Sequence, residues 1–148
     1  MIFTKTNNLF QVSLPPNWED QTVHVFMGPD DSGIQHMLTL SIDPSAEGEL
    51  AAYADERVDA TLATLQNAEV LKEEQITLAN GSEAYEVVLK WVPTDDSIIF
   101  RKQVYVILKG KGYCFAANFS KKTIKTIGVE VDRIINSLVP GIATSDDE

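Results

Sequence analysis

The residues best suited to chemistry are few and poorly spaced for it. His24 and His36 each stand alone in strand-like stretches, with no HxH or HExxH pairing to bring two imidazoles to one metal ion. Asp30-Asp31 and Asp95-Asp96 are the carboxylate pairs that acid–base catalysis would need. Each lies in turn chemistry, PDDSG and PTDDS, where aspartate satisfies backbone N–H groups. The single cysteine, Cys114, sits in an apolar run, KGYCFAANF, and reads as a small buried hydrophobe. There is no GxSxG for a serine nucleophile and no GxxxxGK for a phosphate, and the Gly110-Lys111-Gly112 turn is too short to cradle one. The expectation is a protein that is not an enzyme, with no catalytic residue, no metal site and no cofactor.

The elements that would position any site are bounded by length and charge. A chain of 148 residues suits one domain, which buries roughly 70% of the surface exposed when unfolded. One cysteine forms no internal disulfide, so the core must supply the stability. With 12 Lys and Arg against 22 Asp and Glu, the net charge of −10 repels phosphate backbones and argues against nucleic acid. Lys121, Lys122 and Lys125 form a short basic cluster on one turn, best read as a solvated helix face. The start, MIFTKTNNLF, has no apolar run of secretory-signal type, and nothing approaches the ~20 apolar residues of a membrane span. A cytoplasmic location with no direct membrane insertion is therefore expected. The sequons Asn80-Gly81-Ser82 and Asn118-Phe119-Ser120 carry no meaning in such a chain.

In chain order, Phe10–Met27 reads as two short strands joined through Pro15-Pro16-Asn17 and closed by Trp18, an opening hairpin. After a turn at Pro29–Gly33, a strand is predicted over Ile34–Ile42 and ends at Asp43-Pro44. Apolar spacing of three and four through Leu50, Tyr53, Ala54, Val58, Leu62 and Leu65 predicts a helix from Gly48 to Gln66. Four strands follow, Glu69–Leu78, Glu83–Val92, Ile98–Leu108 and Tyr113–Phe119, with connections short enough for an antiparallel meander. A second helix is predicted from an N-cap at Ser120 to Leu138, where Pro140-Gly141 stops it. The fold class is α+β, an antiparallel sheet of six or seven strands with two long helices. One domain spans 1–141, and an acidic disordered tail spans 142–148.

The two faces of that sheet do not divide cleanly into apolar and polar. Ile98, Phe100, Val104, Val106 and Leu108 alternate with Ile99, Gln103, Tyr105 and Ile107; Tyr113, Phe115, Ala117 and Phe119 alternate with Cys114, Ala116 and Asn118. Val23 and Val25 oppose Thr22, His24 and Phe26. Either the helices and N-terminal segment sandwich the sheet, or the second face leaves an apolar concavity of the kind that marks a binding site.

The segments LFQVSLPPNWEDQTVHVFM, MLTLSIDP, GELAAYADERV, EAYEVVLKWV and FRKQVYVILKGKGYCFAANF resemble the DcrB-related family, and within it the Eag chaperones of bacterial type VI secretion, whose fold is PsbP-like. The resemblance spans Phe10 to Leu138 and rests most on the LPxxWxD opening together with the Arg101-x-Gln103-Val104 strand. It implies a homodimeric chaperone that shields the N-terminal transmembrane helices of PAAR- or Rhs-type effectors, before the effector loads on the VgrG spike. The family's groove carries over to Val23 and Val25 on the early strand, Gln103 and Tyr105 on the central strand, Leu38 or Leu40, and Thr61 and Leu65 of the helix. Arg57 stands where the family's pattern has a further glutamine. The alternative implied by the same resemblance is a non-enzymatic PsbP- or DcrB-like module that binds a ligand or protein in some other role.

Overall fold

A computed structural model describes residues 3–6, 11–31, 34–94 and 97–139. The turn residues Ser32-Gly33 and Asp95-Asp96, the Pro140-Gly141 stop and the 142–148 tail lie outside the described residues. In chain order the elements are β1 (Phe3–Thr6), β2 (Gln11–Leu14), β3 (Val23–Asp31), β4 (Ile34–Asp43), α1 (Leu50–Leu62), β5 (Glu69–Thr77), β6 (Glu83–Thr94), β7 (Ser97–Leu108), β8 (Lys111–Phe119) and α2 (Ile127–Asn136).

Six strands form one antiparallel sheet in the order β3-β4-β8-β7-β6-β5, the α+β arrangement that the alternating patterns predict. The β5 to β8 meander holds because its connections are tight. At the β7–β8 turn, Lys109 (φ 52°) and Gly110 (φ 77°) both take positive φ, as a two-residue turn with primed geometry requires. Gly112 follows for a different reason: a Cβ there would lie 2.2 Å from the Tyr53 hydroxyl oxygen, so α1 packs onto bare backbone.

The opening hairpin is corrected. Gln11–Leu14 pairs with the preceding Phe3–Thr6 in a separate two-stranded ladder, and Val23–Asp31 pairs with β4 instead. Pro15 and Pro16 have no N–H to give to a ladder. The turn closes through Trp18 N–H to the Pro15 carbonyl, 3.1 Å, and Trp18 itself is exposed. β3 thereby becomes an edge strand.

Both helices are shorter than their apolar periods. Ala63 caps α1, Thr64 N–H bonds back to Thr61 O at 3.0 Å, and Asn67 takes a left-handed φ of 52° that turns the chain toward β5. The second helix breaks near its start into a single 3-10 turn, Thr123–Lys125, before α2. Ser120 and Thr123 bond reciprocally, Thr123 N–H to Ser120 Oγ at 3.1 Å and Ser120 N–H to Thr123 Oγ1 at 2.9 Å. The Thr123 hydroxyl also meets His36 Nε2 at 2.8 Å, and His36 Nδ1 meets the Pro29 carbonyl at 2.9 Å. The first turn is thus set by a contact with β4, which helical periodicity does not encode.

Two cores lie on opposite faces of the sheet. On one, Ile127, Val131 and Ile135 of α2 cover Leu38, Val104, Val106, Phe115 and Phe119. On the other, Tyr53, Ala54 and Val58 of α1 cover Val87 and Tyr105. A charged row crosses the α2 face: Glu86 meets Lys72 at 2.9 Å and Lys102 at 3.5 Å, and Lys102 meets Asp132 of α2 at 2.5 Å. Burial pushes the Glu86 carboxyl up, but the Lys72 hydrogen bond and the Lys102 charge outweigh it and hold the group below the usual carboxylate range. A depressed folded value means that this contribution is present above the unfolded value and is lost as pH falls through the folded one. Glu86→Gln is expected to lose about 2–3 kcal/mol at pH 7 and to show a flatter fall in melting temperature on acidification than the parent. Equal acid slopes in the two proteins would contradict the assignment.

Candidate partner-binding face

The face that carries α1 is only half covered. The chain leaves β4, crosses through α1 and enters the sheet again at the far edge, β5, so α1 lies over β6 and β7. Among the described residues, α1 reaches the β4-β8 part of that face only at one end, where Tyr53 and Arg57 meet Asp43, Gly112 and Cys114, and no helix lies over β3. Cross-strand register arranges its side chains in rows. Val23, Ser41, Cys114, Tyr105 and Tyr85 form one row, and Val25, Thr39, Ala116, Gln103 and Val87 form the next. Met27 pairs with Met37, and Arg101 with Asn118 and Leu89, in the row beyond. Each row passes from bare sheet at β3 to covered sheet at β6. Val23 and Val25 are each 50% exposed, Met27 61% and Met37 42%.

The dimensions suit one helix. Three strand spacings separate β3 from β7, about 14 Å, against a helix diameter of about 10–12 Å with side chains. The nine residues of β3 run about 30 Å, the length of an α-helix of about 20 residues.

Polar groups in the floor are incompletely bonded. Gln103 is 6% exposed; its Nε2 donates to the Tyr105 hydroxyl at 2.7 Å and reaches Thr61 Oγ1 at 3.4 Å, while its Oε1 has no partner among the described residues. Arg101 Nε, Asn118 Oδ1 and Trp91 Nε1 are likewise buried without a partner among the described residues. Strand alternation puts all four on the α1 side of the sheet, and each such group costs about 1–3 kcal/mol when left unmet. A small cleft of about 90 Å³ opens at two of them, lined by Arg101 and Asn118 together with Gln35, Met37, Thr39 and Ala116.

The wall of this face is α1 and the end of β4. Arg57 is ion-paired with Asp43 and lies over the Tyr53 ring, 4.8 Å from its centre. The Tyr53 hydroxyl donates to Asp43 Oδ2 at 3.0 Å and contacts Cys114 Sγ at 3.7 Å. Burial pushes the Tyr53 and Tyr105 hydroxyls and the Cys114 thiol up, so all three are neutral at pH 7. Among the described residues no group of three or more His, Cys, Asp and Glu could hold a metal ion. His36 is buried in the α2-side contact already described, and His24 is exposed on the same side of the sheet as Phe26.

Of the residues singled out from sequence, Val23, Val25, Gln103 and Tyr105 share this face, and Arg57 and Thr61 stand on the helix beside it. Leu38 and Leu40 do not. They are even-numbered positions of β4, Leu38 is 3% exposed in the α2 core, and Leu40 packs against the same core. Their odd-numbered neighbours Met37 and Thr39 occupy the open side. Leu65 lies past the end of α1, in the turn that bonds Val92 N–H to Gln66 O at 3.0 Å, so the helical stripe does not extend to it. Met27, Arg101, Ala116 and Asn118 were not among the expected groove residues. Stepping by two from Val25 and from Gln103 reaches Met27 and Arg101, a signal available in the strand period itself.

The fold is PsbP-like and Mog1-like: a twisted antiparallel sheet with a helix on each face. It is similar to a Pseudomonas aeruginosa protein of unknown function, PA94, with TM-score 0.74, 16% identity, and coverage of 94% of this chain and 96% of that one. It also resembles cyanobacterial PsbP from Synechocystis (TM-score 0.51, 12% identity, 93% and 89% covered) and the Saccharomyces cerevisiae Ran-binding protein Mog1p (0.50, 12%, 89% and 85%). No curated protein matches the chain. The DcrB family model matches residues 11–137, and the chain belongs to the DcrB family. Among the described residues no helix is long and apolar enough to cross a membrane.

Proposed function

We propose that this DcrB-family chain is a cytoplasmic chaperone of the Eag type, acting as a homodimer without turnover. It shields the N-terminal transmembrane helices of a PAAR- or Rhs-type effector until the effector is loaded on the VgrG spike. One observation carries the reading. The face from β3 to β7 exposes Val23, Val25, Met27 and Met37, is wide enough for one helix, and ends at Gln103, whose Oε1 has no partner among the described residues. A helix built for a membrane is apolar all round and aggregates in water, so a holder must offer apolar area together with polar groups that are strong in a dry contact. Val23, Val25, Met27 and Met37 supply the area; Gln103, oriented by the buried Tyr105 hydroxyl, and Thr61 supply the polar groups. Co-expression with an effector segment of about 20 apolar residues is expected to yield a soluble complex that co-purifies, while the segment alone is insoluble. If the segment stays insoluble beside the folded chain, the reading fails.

A further inference from the structure

Arg101 is the least explained group on the bare face. It sits on β7 between Leu89 and Asn118, one row along from Gln103 on the same side of the sheet. Its Nε is buried and unbonded, and among the described residues it has neither an ion pair nor a hydrogen bond. Burial pushes its guanidinium below the usual arginine value, and no carboxylate compensates. Asp43, a carboxylate on the same face, is already held by Arg57 and Tyr53. In a chain with a net charge of −10, a cation in this cleft that pairs with none of the described carboxylates calls for an explanation from outside the chain.

The cleft defines what would fit. Met37 and Ala116 make its apolar walls, Gln35 Nε2 is tied to the Gly28 carbonyl at 2.6 Å, and the Thr39 hydroxyl donates to Ala116 O at 3.3 Å. That leaves Arg101 with its neighbour Asn118, whose buried Oδ1 also has no partner among the described residues. A guanidinium recognises a carboxylate through charge-assisted N–H···O bonds.

We propose that the helix accepted by this face carries a carboxylate side chain, Glu or Asp, in its otherwise apolar surface, and that Arg101 receives it. The inference rests on the helix-shielding reading and specifies its cargo. Much of the desolvation of Arg101 has already occurred in the folded protein, so pairing adds attraction with little further loss of hydration on that side. The opposite sign is rejected: a helix lysine would meet an unscreened like charge. The pair also gives register, because an apolar helix slides freely along an apolar face and one ion pair stops it.

The test uses the full chain and two host segments of about 20 Leu and Ala residues, one with a single central Glu and the other with Gln at that position. The Glu segment is expected to be retained about tenfold more tightly than the Gln segment. Arg101→Gln is expected to abolish that difference, and Arg101→Glu to prefer a Lys-bearing segment. Thermal unfolding of each variant establishes that it is folded, and the Glu-against-Gln comparison on the unaltered protein needs no variant. Equal retention of the two segments overturns the carboxylate inference and leaves the shielding reading standing. Retention of neither overturns both.

Discussion

A Val23→Asp, Val25→Asp double variant is expected to remain folded and, on the proposed helix-shielding function, to lose retention of an apolar segment. Both side chains are half exposed on an edge strand and belong to neither core. Their replacement therefore opens no cavity and costs at most the ~1 kcal/mol range of strand propensity per site. In a complex the same positions would be dehydrated beneath a helix, where each unpaired carboxylate costs several kcal/mol. Two of them should reduce retention of an apolar segment by more than about 100-fold, read by pull-down from co-expressing cells. His24→Asp is the matched control. It lies between the two valines in sequence but points to the other side of the sheet, so retention should not change. If the double variant keeps its partner while its melting curve is normal, the β3 face is not the binding surface. If His24→Asp is equally damaging, charge on the edge strand rather than the face is responsible.

The largest stability effect is expected at Phe119. It is fully buried at the end of β8, packed in the core beneath α2, with its ring 6.0 Å from that of His36. It therefore joins the sheet to the His36–Thr123–Ser120 contact that starts the second helix. Phe119→Ala should cost about 3–5 kcal/mol, a large share of the 5–15 kcal/mol that typically holds a domain together. Denaturant unfolding measures it directly. A loss below about 1.5 kcal/mol would mean that this end of the core collapses around the smaller side chain. Because Phe119 is on the α2 face, a folded but weakened variant should still retain an apolar segment. The two predictions together separate the faces: one variant loses the partner and keeps the fold, the other weakens the fold and keeps the partner.

The sequence carried most of the secondary structure, and the reasons are local. Period-two runs and tight connections were enough for β4 to β8, because a Lys109-Gly110 turn allows only neighbouring strands to pair. The period of three and four was enough for α1 and α2, though not for their ends. Those ends depend on the Asn67 backbone and on a Thr123 hydroxyl bonded to a strand 87 residues earlier. For the candidate site, Val23, Val25, Gln103 and Tyr105 came from the family resemblance, and strand alternation places all four on one side of the sheet. Arg101 was equally available by stepping two residues from Gln103, but nothing in a sequence reports that an arginine lacks a counter-ion.

Three things required the tertiary structure. The partner of Gln11–Leu14 depends on which backbone edges meet, and Pro15-Pro16 fits either a hairpin or a break. The face on which Leu38 and Leu40 lie depends on where α1 and α2 dock. β4 alternates regularly, but alternation is symmetric and does not distinguish the open side from the closed one. Finally, the existence of an open side at all follows from the crossover. One helix of 13 residues must carry the chain from β4 to the far edge of a six-stranded sheet, and it covers only the strands it crosses. Composition determined that this chain has apolar residues for both faces of a sheet, and topology decided that α1 would leave half of one face bare.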